Sequence, residues 1–148
     1  MGKAASSPSK VIWREVLVLA IAGGFGFWVA NFAISLTPIA AAYRAALSIA
    51  YVPMLLEALL GGLIIGFCVS YCLLRYFDQL PTKNRVLKSI ILSFIALLIV
   101  TLLIELPAKF LTTTPDAVRY FLSGLLFNTF RLLAMGSVIG YLYGKRDD

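Results

Sequence analysis

Residues 53–74 read PMLLEALLGGLIIGFCVSYCLL and carry a single charged side chain, Glu57. A helix that crosses a hydrocarbon core of about 30 Å needs around 20 apolar residues, so this stretch is long enough to span a bilayer. Three further stretches have the same character, and we predict four transmembrane helices at residues 16–36, 53–74, 89–106 and 118–143. The predicted fold class is an all-α integral membrane protein, a bundle of four transmembrane helices.

The composition of the whole chain agrees with this fold class. Of 148 residues, 61% are hydrophobic and 14% are charged, whereas a soluble domain is about half apolar and a quarter charged. The connections between the spans are too short to bury a core of their own. We therefore predict one transmembrane domain over residues 1–148, and no separate catalytic or nucleic-acid-binding domain.

Two connections carry signals for helix starts. Thr37 followed by Pro38 is typical of an N-cap and a first helical residue, and it predicts a short helix at residues 38–50 on the outer membrane surface. Pro53 disfavours helical backbone just before it, so this helix should break before the second span. The sequence Thr114-Pro115-Asp116 predicts the start of the fourth span by the same logic.

The basic residues at or beyond the ends of the spans are unevenly distributed between the two sides. One side carries nine of them and the other carries three, which by the positive-inside rule places both termini in the cytoplasm. We expect a plasma (inner) membrane, because nothing in the sequence marks an organelle address. This arrangement accounts for the net charge of +6, so we expect membrane lipids and no nucleic acid as partners. The nine are Lys3, Lys10, Arg14, Arg75, Lys83, Arg85, Lys88, Lys145 and Arg146, and the three are Arg44, Lys109 and Arg119.

Each predicted span also carries polar residues that are costly in lipid. A charged side chain at a helix centre costs about 2.5 to 3.5 kcal/mol on insertion scales, so it needs a partner or a function. Counting about 1.5 Å per residue from the cytoplasmic anchors puts four of them about 21 to 27 Å from the inner side. We predict an intramembrane polar cluster of Asn31, Glu57, Glu105, Asn128 and Arg131.

The charges within this cluster suggest one ion pair and one acidic side chain without a basic partner. We expect Glu57 and Arg131 to pair, with the amides and Glu105 completing the hydrogen bonds. Two glutamates against one arginine leave an unmatched acid, which is a candidate proton carrier. The alternative is that the cluster only fixes which helices touch.

Small residues at helical spacing form a second pattern. Gly62 and Gly66, and also Gly136 and Gly140, are GxxxG pairs, and Ala22 and Gly26 repeat the spacing in the first span. Such residues let helices approach closely, within or between protomers. A shift of half the chain length superimposes the two GxxxG pairs, which suggests two parallel two-helix repeats.

The residue types limit the chemistry. The chain has no histidine, nor does it have a nucleophile motif or a nucleotide-binding loop, so we predict no enzyme, no metal and no cofactor. Cys68 and Cys72 are expected to be small buried hydrophobes. The expected function is an accessory or assembly subunit of a larger membrane complex, or a structural homo-oligomer. The alternative is a small proton- or ion-coupled transporter or channel that uses Glu57 and Glu105.

Overall fold

The computed structural model describes residues 8–146, with side chains from residue 12 onward, and this part of the chain is helical and contains no strand. The predicted anchors Lys3 and Lys10 lie outside the described side chains. The helices are α1 (Pro8–Ser35), α2 (Pro38–Ala46), α3 (Tyr51–Arg75), α4 (Arg85–Val100), α5 (Leu106–Phe110) and α6 (Ala117–Arg146). A 3₁₀ turn, Phe77–Gln79, follows α3, and a π-helical turn, Thr101–Glu105, joins α4 to α5.

Within residues 8–146, four helical stretches are long and apolar enough to cross a membrane, as the sequence predicted. They are Ile12–Ser35 within α1, Tyr51–Arg75, Arg85–Phe110 and Ala117–Arg146. The chain is thus an all-helical protein with the features of a multi-pass membrane protein.

The third span is longer than predicted. It was expected to end at residue 106, before Pro107, but it continues to Phe110. Proline lacks an N–H and crowds the carbonyl four residues before it. The π-helical turn Thr101–Glu105 lies directly upstream and accommodates this break in the helical bonding. As a result Glu105 and Lys109 lie one turn apart on the same helix face.

The capping predictions had different outcomes at the two helix starts. At α2, Thr37 Oγ1 accepts a hydrogen bond from the Ala40 N–H at 3.3 Å, and Pro38 is the first helical residue, as predicted. This helix ends at Ala46 rather than residue 50, because Ser48 adopts a left-handed φ of 54°. At the fourth span, the predicted N-cap at Thr114-Pro115 is wrong, whereas the predicted first residue of the span, 118, lies one residue from the observed start. That helix begins at Ala117, after Asp116 with a φ of 51°.

The helices are arranged around a central pair. α1 packs along α3 and α6, and α6 packs along α1 and α4, whereas α3 and α4 touch each other much less. Large apolar side chains cover the outside of the bundle, including Ile64 at 65% and Leu103 at 71% exposure, as expected for surfaces that face lipid. The core consists of Leu19, Phe27, Val69, Leu73, Leu97, Leu132, Met135 and Ile139.

Both GxxxG pairs mediate helix contacts within the protomer. A Cβ on Gly62 would lie 3.1 Å from the Gly24 carbonyl oxygen, and one on Gly66 would lie 2.8 Å from the Ala20 carbonyl oxygen. These two glycines therefore pack on α1. In α6, a Cβ on Gly140 would lie 2.6 Å from Val86 Cα, and this pair packs on α4.

In α1, both Gly23 and the predicted Gly26 approach α6. A Cβ on Gly23 would lie 2.5 Å from the Ile139 side chain, and one on Gly26 would lie 3.0 Å from Val138 Cγ2. Gly26 thus contacts α6, whereas Ala22 is only half-buried and the tighter approach is at Gly23. The expectation of two buried cysteines is wrong, because Cys68 is exposed on the bundle surface and only Cys72 is half-buried.

Candidate functional site

A polar cavity of about 260 Å³ lies at the end of the bundle where α2 crosses it, which we call the α2 end. Four of the five residues of the predicted polar cluster line this cavity, and the fifth, Asn128, is bonded to two of them. The lining residues are Asn31, Ile34, Ser35, Ala40, Tyr43, Arg44, Ile49, Met54, Glu57, Glu105, Lys109, Phe127 and Arg131. The cavity therefore has a wall from every helix except α4.

A chain of polar contacts crosses one side of the cavity from α5 to the middle of α6. The Lys109 ammonium lies 3.3 Å from Glu105 Oε2. Glu105 Oε1 accepts a hydrogen bond from Asn128 Nδ2 at 3.1 Å, and Asn128 Oδ1 accepts one from Arg131 Nη1 at 2.8 Å. Asn128 thus fixes the guanidinium of Arg131 relative to the ion pair.

Gly124 provides the space for this arrangement. A Cβ at this position would lie 2.6 Å from Glu105 Oε2 and 3.1 Å from the Tyr43 hydroxyl. The Glu105 carboxylate and the Tyr43 hydroxyl therefore both lie next to the backbone of α6 at Gly124, where there is no side chain. The Lys109 ammonium lies 5.4 Å from the centre of the Tyr43 ring, and burial raises the pKa of Tyr43 although Lys109 opposes this rise. The phenol is thus a hydrogen-bond donor at neutral pH.

The predicted pair of Glu57 and Arg131 is not formed. Arg131 donates to Asn128 instead, and no hydrogen bond or ion pair joins Glu57 to any of the described side chains. Glu57 is an exposed side chain at the border of the cavity, whereas Asn31 is 1% exposed. The cavity therefore extends from a buried wall at Asn31 to an accessible side at Glu57.

Three cavity residues were missed as members of the polar cluster: Tyr43, Arg44 and Lys109. Arg44 donates to the Ser35 carbonyl at 3.1 Å and lies 4.9 Å from the centre of the Tyr51 ring. The i, i+4 spacing of Glu105 and Lys109 was a signal that could have identified Lys109. With these residues, three basic side chains and two acidic ones line the cavity. The cavity lining therefore has an excess of basic side chains, whereas the sequence analysis expected an excess of acidic ones.

Two buried donors beside the cavity have no partner among the described residues. They are Asn31 Nδ2 and Arg131 Nε. A buried donor without an acceptor costs about 1 to 3 kcal/mol, so native structures rarely keep one without a bound water or ligand. Both donors belong to side chains that line the cavity.

No protein-family model matches the chain, and neither does any curated protein or solved structure. The interpretation of the cavity consequently rests on its own geometry and charges.

Proposed function

We propose that the protein is a small membrane transporter whose cavity takes up a polar solute from the side of the membrane that faces α2. One observation carries the proposal. Five charged side chains from four helical elements and the π-helical turn surround one cavity, although ionisable residues in membrane spans are costly. Such residues commonly line substrate or ion pathways.

The use of the glycines also favours transport over the structural role that the sequence first suggested. Gly62, Gly66, Gly136 and Gly140 approach helices of the same protomer. They are therefore occupied, and they are not free to form the contact surface of a homo-oligomer. Asn31, Glu105 and Arg131 likewise line an internal cavity rather than a surface that a neighbouring subunit could cover.

Glu57 supports a second candidate function, an accessory or assembly subunit of a larger membrane complex. Its side chain is exposed on α3 and has no partner among the described residues. A carboxylate that faces lipid is unfavourable, so a cation on another protein would stabilise it. Purification in mild detergent with mass spectrometry tests this role. A partner retained at fixed stoichiometry by the native protein and lost with Glu57→Gln would support it.

The coupling residue of a transporter would be Glu57 rather than Glu105. Glu105 is already neutralised by Lys109 and hydrogen-bonded to Asn128. Glu57 has no such partner and lies where the cavity is accessible. In a proton-coupled cycle Glu57→Gln would abolish coupled flux, while solute binding would persist.

We infer that both termini are cytoplasmic and that the cavity opens to the outside of a plasma (inner) membrane. The burial of Lys109, which is 7% exposed, and the contact of Arg44 with Ser35 support this orientation. Lys109 and Arg44 are two of the three basic residues assigned to the outer side. Because both line the cavity, fewer basic side chains remain accessible on the outer side than the sequence count indicates. Basic residues are enriched on cytoplasmic sides.

The arrangement of helices is consistent with two parallel two-helix repeats. α3 packs on α1 through Gly62 and Gly66, and α6 packs on α4 through the corresponding glycines 74 residues later, Gly136 and Gly140. The same shift relates Asn31 to Glu105 and Glu57 to Arg131, and all four line the cavity. The α2 segment has no counterpart in the second half, where the helix continues through Pro107.

Cysteine accessibility in intact cells tests the transporter proposal. In a background with Cys68→Ala and Cys72→Ala, Ile34→Cys and Met54→Cys would place thiols in the cavity wall. Ile99→Cys is the matched control, because this side chain is 52% exposed on the lipid-facing side of α4. Since maleimides react with hydrated thiols, we expect an impermeant maleimide to label the cavity positions much faster than Ile99→Cys.

The same experiment reports the orientation. Lys145→Cys, near the end of α6, should react only after the membrane is permeabilised. Cavity thiols that react as slowly as Ile99→Cys would overturn the proposal of a water-filled uptake site. Labelling of Lys145→Cys on intact cells would overturn the orientation alone.

A further inference from the structure

We infer that the cavity binds a small organic anion, through a carboxylate or phosphoryl group held by Arg131 and Asn31. This inference rests on the proposed function, because it names the class of solute that the uptake site accepts. It is carried by the charge balance of the cavity, by its unpartnered donors and by its size.

The charges that remain after internal pairing are mainly positive. Glu105 and Lys109 compensate each other at 3.3 Å. Arg131 donates to the neutral amide of Asn128, and Arg44 donates to a backbone carbonyl. Neither guanidinium is therefore neutralised by a carboxylate, and Glu57 is the only acid of the cavity lining left to oppose them.

The free hydrogen-bonding groups are of the type that an anion requires. Asn31 Nδ2 and Arg131 Nε are buried donors without acceptors among the described residues. Oxygen atoms of a carboxylate or phosphoryl group accept charge-assisted hydrogen bonds from guanidinium, which are about twice as strong as neutral ones. Among the described residues, a cation would meet two guanidinium groups that no carboxylate pairs with, and Glu57 is the one acid of the lining without an ion pair.

The position of Arg131 is fixed before a ligand arrives. Its Nη1 bonds to Asn128, which is held by Glu105, which in turn pairs with Lys109. A side chain that is already oriented loses less conformational entropy on binding. The polar contacts along α5 and α6 thus serve to present the guanidinium to the cavity.

The size of the cavity limits the ligand. A volume of about 260 Å³ corresponds to about nine water molecules at the liquid volume of about 30 Å³ each. A short-chain carboxylate, a phosphorylated small molecule or a single lipid headgroup fits this space. A whole lipid does not, so a lipid would bind by its headgroup alone.

The test uses the full-length protein with the Cys68→Ala, Cys72→Ala and Ile34→Cys substitutions in nanodiscs of zwitterionic lipid. Acetate, succinate and inorganic phosphate are titrated, and maleimide labelling of the cavity thiol and the melting temperature Tm are measured. We expect at least one anion to slow labelling and to raise Tm with the same Kd, while chloride at equal ionic strength does neither.

A parallel sample in nanodiscs with anionic lipid distinguishes a free anion from a lipid headgroup as the source of the carboxylate or phosphoryl group. Protection in that lipid without any added anion would identify a headgroup as the ligand.

The variants connect binding to the two residues. Arg131→Gln is expected to weaken anion binding at least tenfold, and Asn31→Leu is expected to weaken it several-fold. Arg75→Gln, at the opposite end of α3, should leave the Kd for the anion unchanged. If Arg131→Gln does not fold, Arg131→Lys replaces it, because it keeps the charge but lacks Nε and should still weaken binding.

Three outcomes overturn the inference, and they do so in two distinguishable ways. A cavity thiol that reacts readily but is protected by no anion and no anionic lipid, with no change in Tm, leaves the uptake site standing and refutes its anion selectivity. The same refutation follows if Arg131→Gln binds the anion with unchanged Kd. A thiol that does not react at all, together with an unchanged Tm, refutes both the uptake site and the ligand class.

Discussion

The two ends of this bundle are packed in different ways. At the end opposite α2, which we call the terminal end, glycines bring helix backbones into direct contact, as Gly140 does with Val86. At the α2 end, charged side chains occupy the space between the helices and leave a cavity of about 260 Å³. Apolar burial does little to drive helices together in lipid, so close backbone packing at the terminal end provides stability. The α2 end can then keep polar groups exposed to a cavity.

The terminal end also contains charge, but in a different role. Lys88 is 5% exposed, donates to the Phe77 carbonyl, and lies 3.5 Å from the centre of the Phe77 ring. Its hydrogen bond ties the loop after α3 to α4. Arg131 is also bonded within the protein, but it keeps a buried N–H without a partner among the described residues. A charge whose bonds are completed by the fold stabilises the fold, whereas one with a free donor can bind a ligand.

The largest expected effect breaks the backbone contact at the terminal end. In Gly140→Ala the new Cβ would lie 2.6 Å from Val86 Cα, and a backbone atom cannot move aside cheaply. Overpacking of this kind costs about 1 to 3 kcal/mol, and the preference of alanine for helix offsets about 0.5 to 1 kcal/mol of this cost. The free energy of unfolding in detergent should therefore fall, by up to about 2 kcal/mol.

Gly61→Ala is the matched control for this change. It lies on another span, and nothing lies within 4 Å of a Cβ there. Alanine in place of glycine in a helix then adds about 0.5 to 1 kcal/mol of stability. Equal effects of the two substitutions would show that glycine at Gly140 is not required for helix contact.

The close helix contacts were predictable from the sequence only in part. The spacing of Gly62 and Gly66 indicates a surface on which another helix can pack, because small residues remove the obstacle to approach. It does not identify the partner helix. That choice depends on the loop lengths and on the small residues of α1, where Gly23 and Gly24 meet the neighbouring helices.

The sequence identified which polar residues gather around one cavity, but not how they pair. Counting residues from the basic anchors gives the level of Glu57 and Arg131 along the membrane normal, but not their angle around the bundle axis. Their pairing was therefore wrong. Lys109 was missed because Pro107 was interpreted as the end of the third span, whereas the π-helical turn before it lets the helix continue. A proline in a membrane helix is tolerated when local backbone adjustments satisfy the freed groups.

A moderate effect is expected at the centre of the polar contacts of the α2 end. Asn128→Leu removes the acceptor of Arg131 Nη1 and the donor to Glu105 Oε1. Interhelical hydrogen bonds in membranes contribute about 0.6 kcal/mol on average and up to about 1.7, so we expect a loss of about 1 kcal/mol in unfolding free energy. Anion binding should weaken as well, because Arg131 loses its orientation.

Thr129→Val is the control for the Asn128 change. This neighbouring hydroxyl bonds only to the Leu125 carbonyl of its own helix, at 2.7 Å. Its removal should change stability by less than about 0.5 kcal/mol and should leave anion binding unchanged. An Asn128→Leu protein that binds the anion as well as the native protein would exclude the amide as the group that positions Arg131.

The smallest effect on stability, and the sharpest comparison between the two ends, is expected for Gly124→Ala. Its Cβ would lie 2.6 Å from Glu105 Oε2, the same distance as the clash at Gly140, but here the opposing atom ends a flexible side chain next to a cavity. The carboxylate can move into open space, and alanine favours the helix by about 0.5 to 1 kcal/mol. The net change in unfolding free energy should therefore be within about 0.5 kcal/mol of zero.

Because Glu105 holds Asn128, and Asn128 holds Arg131, the same substitution should still weaken anion binding several-fold. A Gly124→Ala protein as unstable as Gly140→Ala would mean that the α2 end is packed as rigidly as the terminal end.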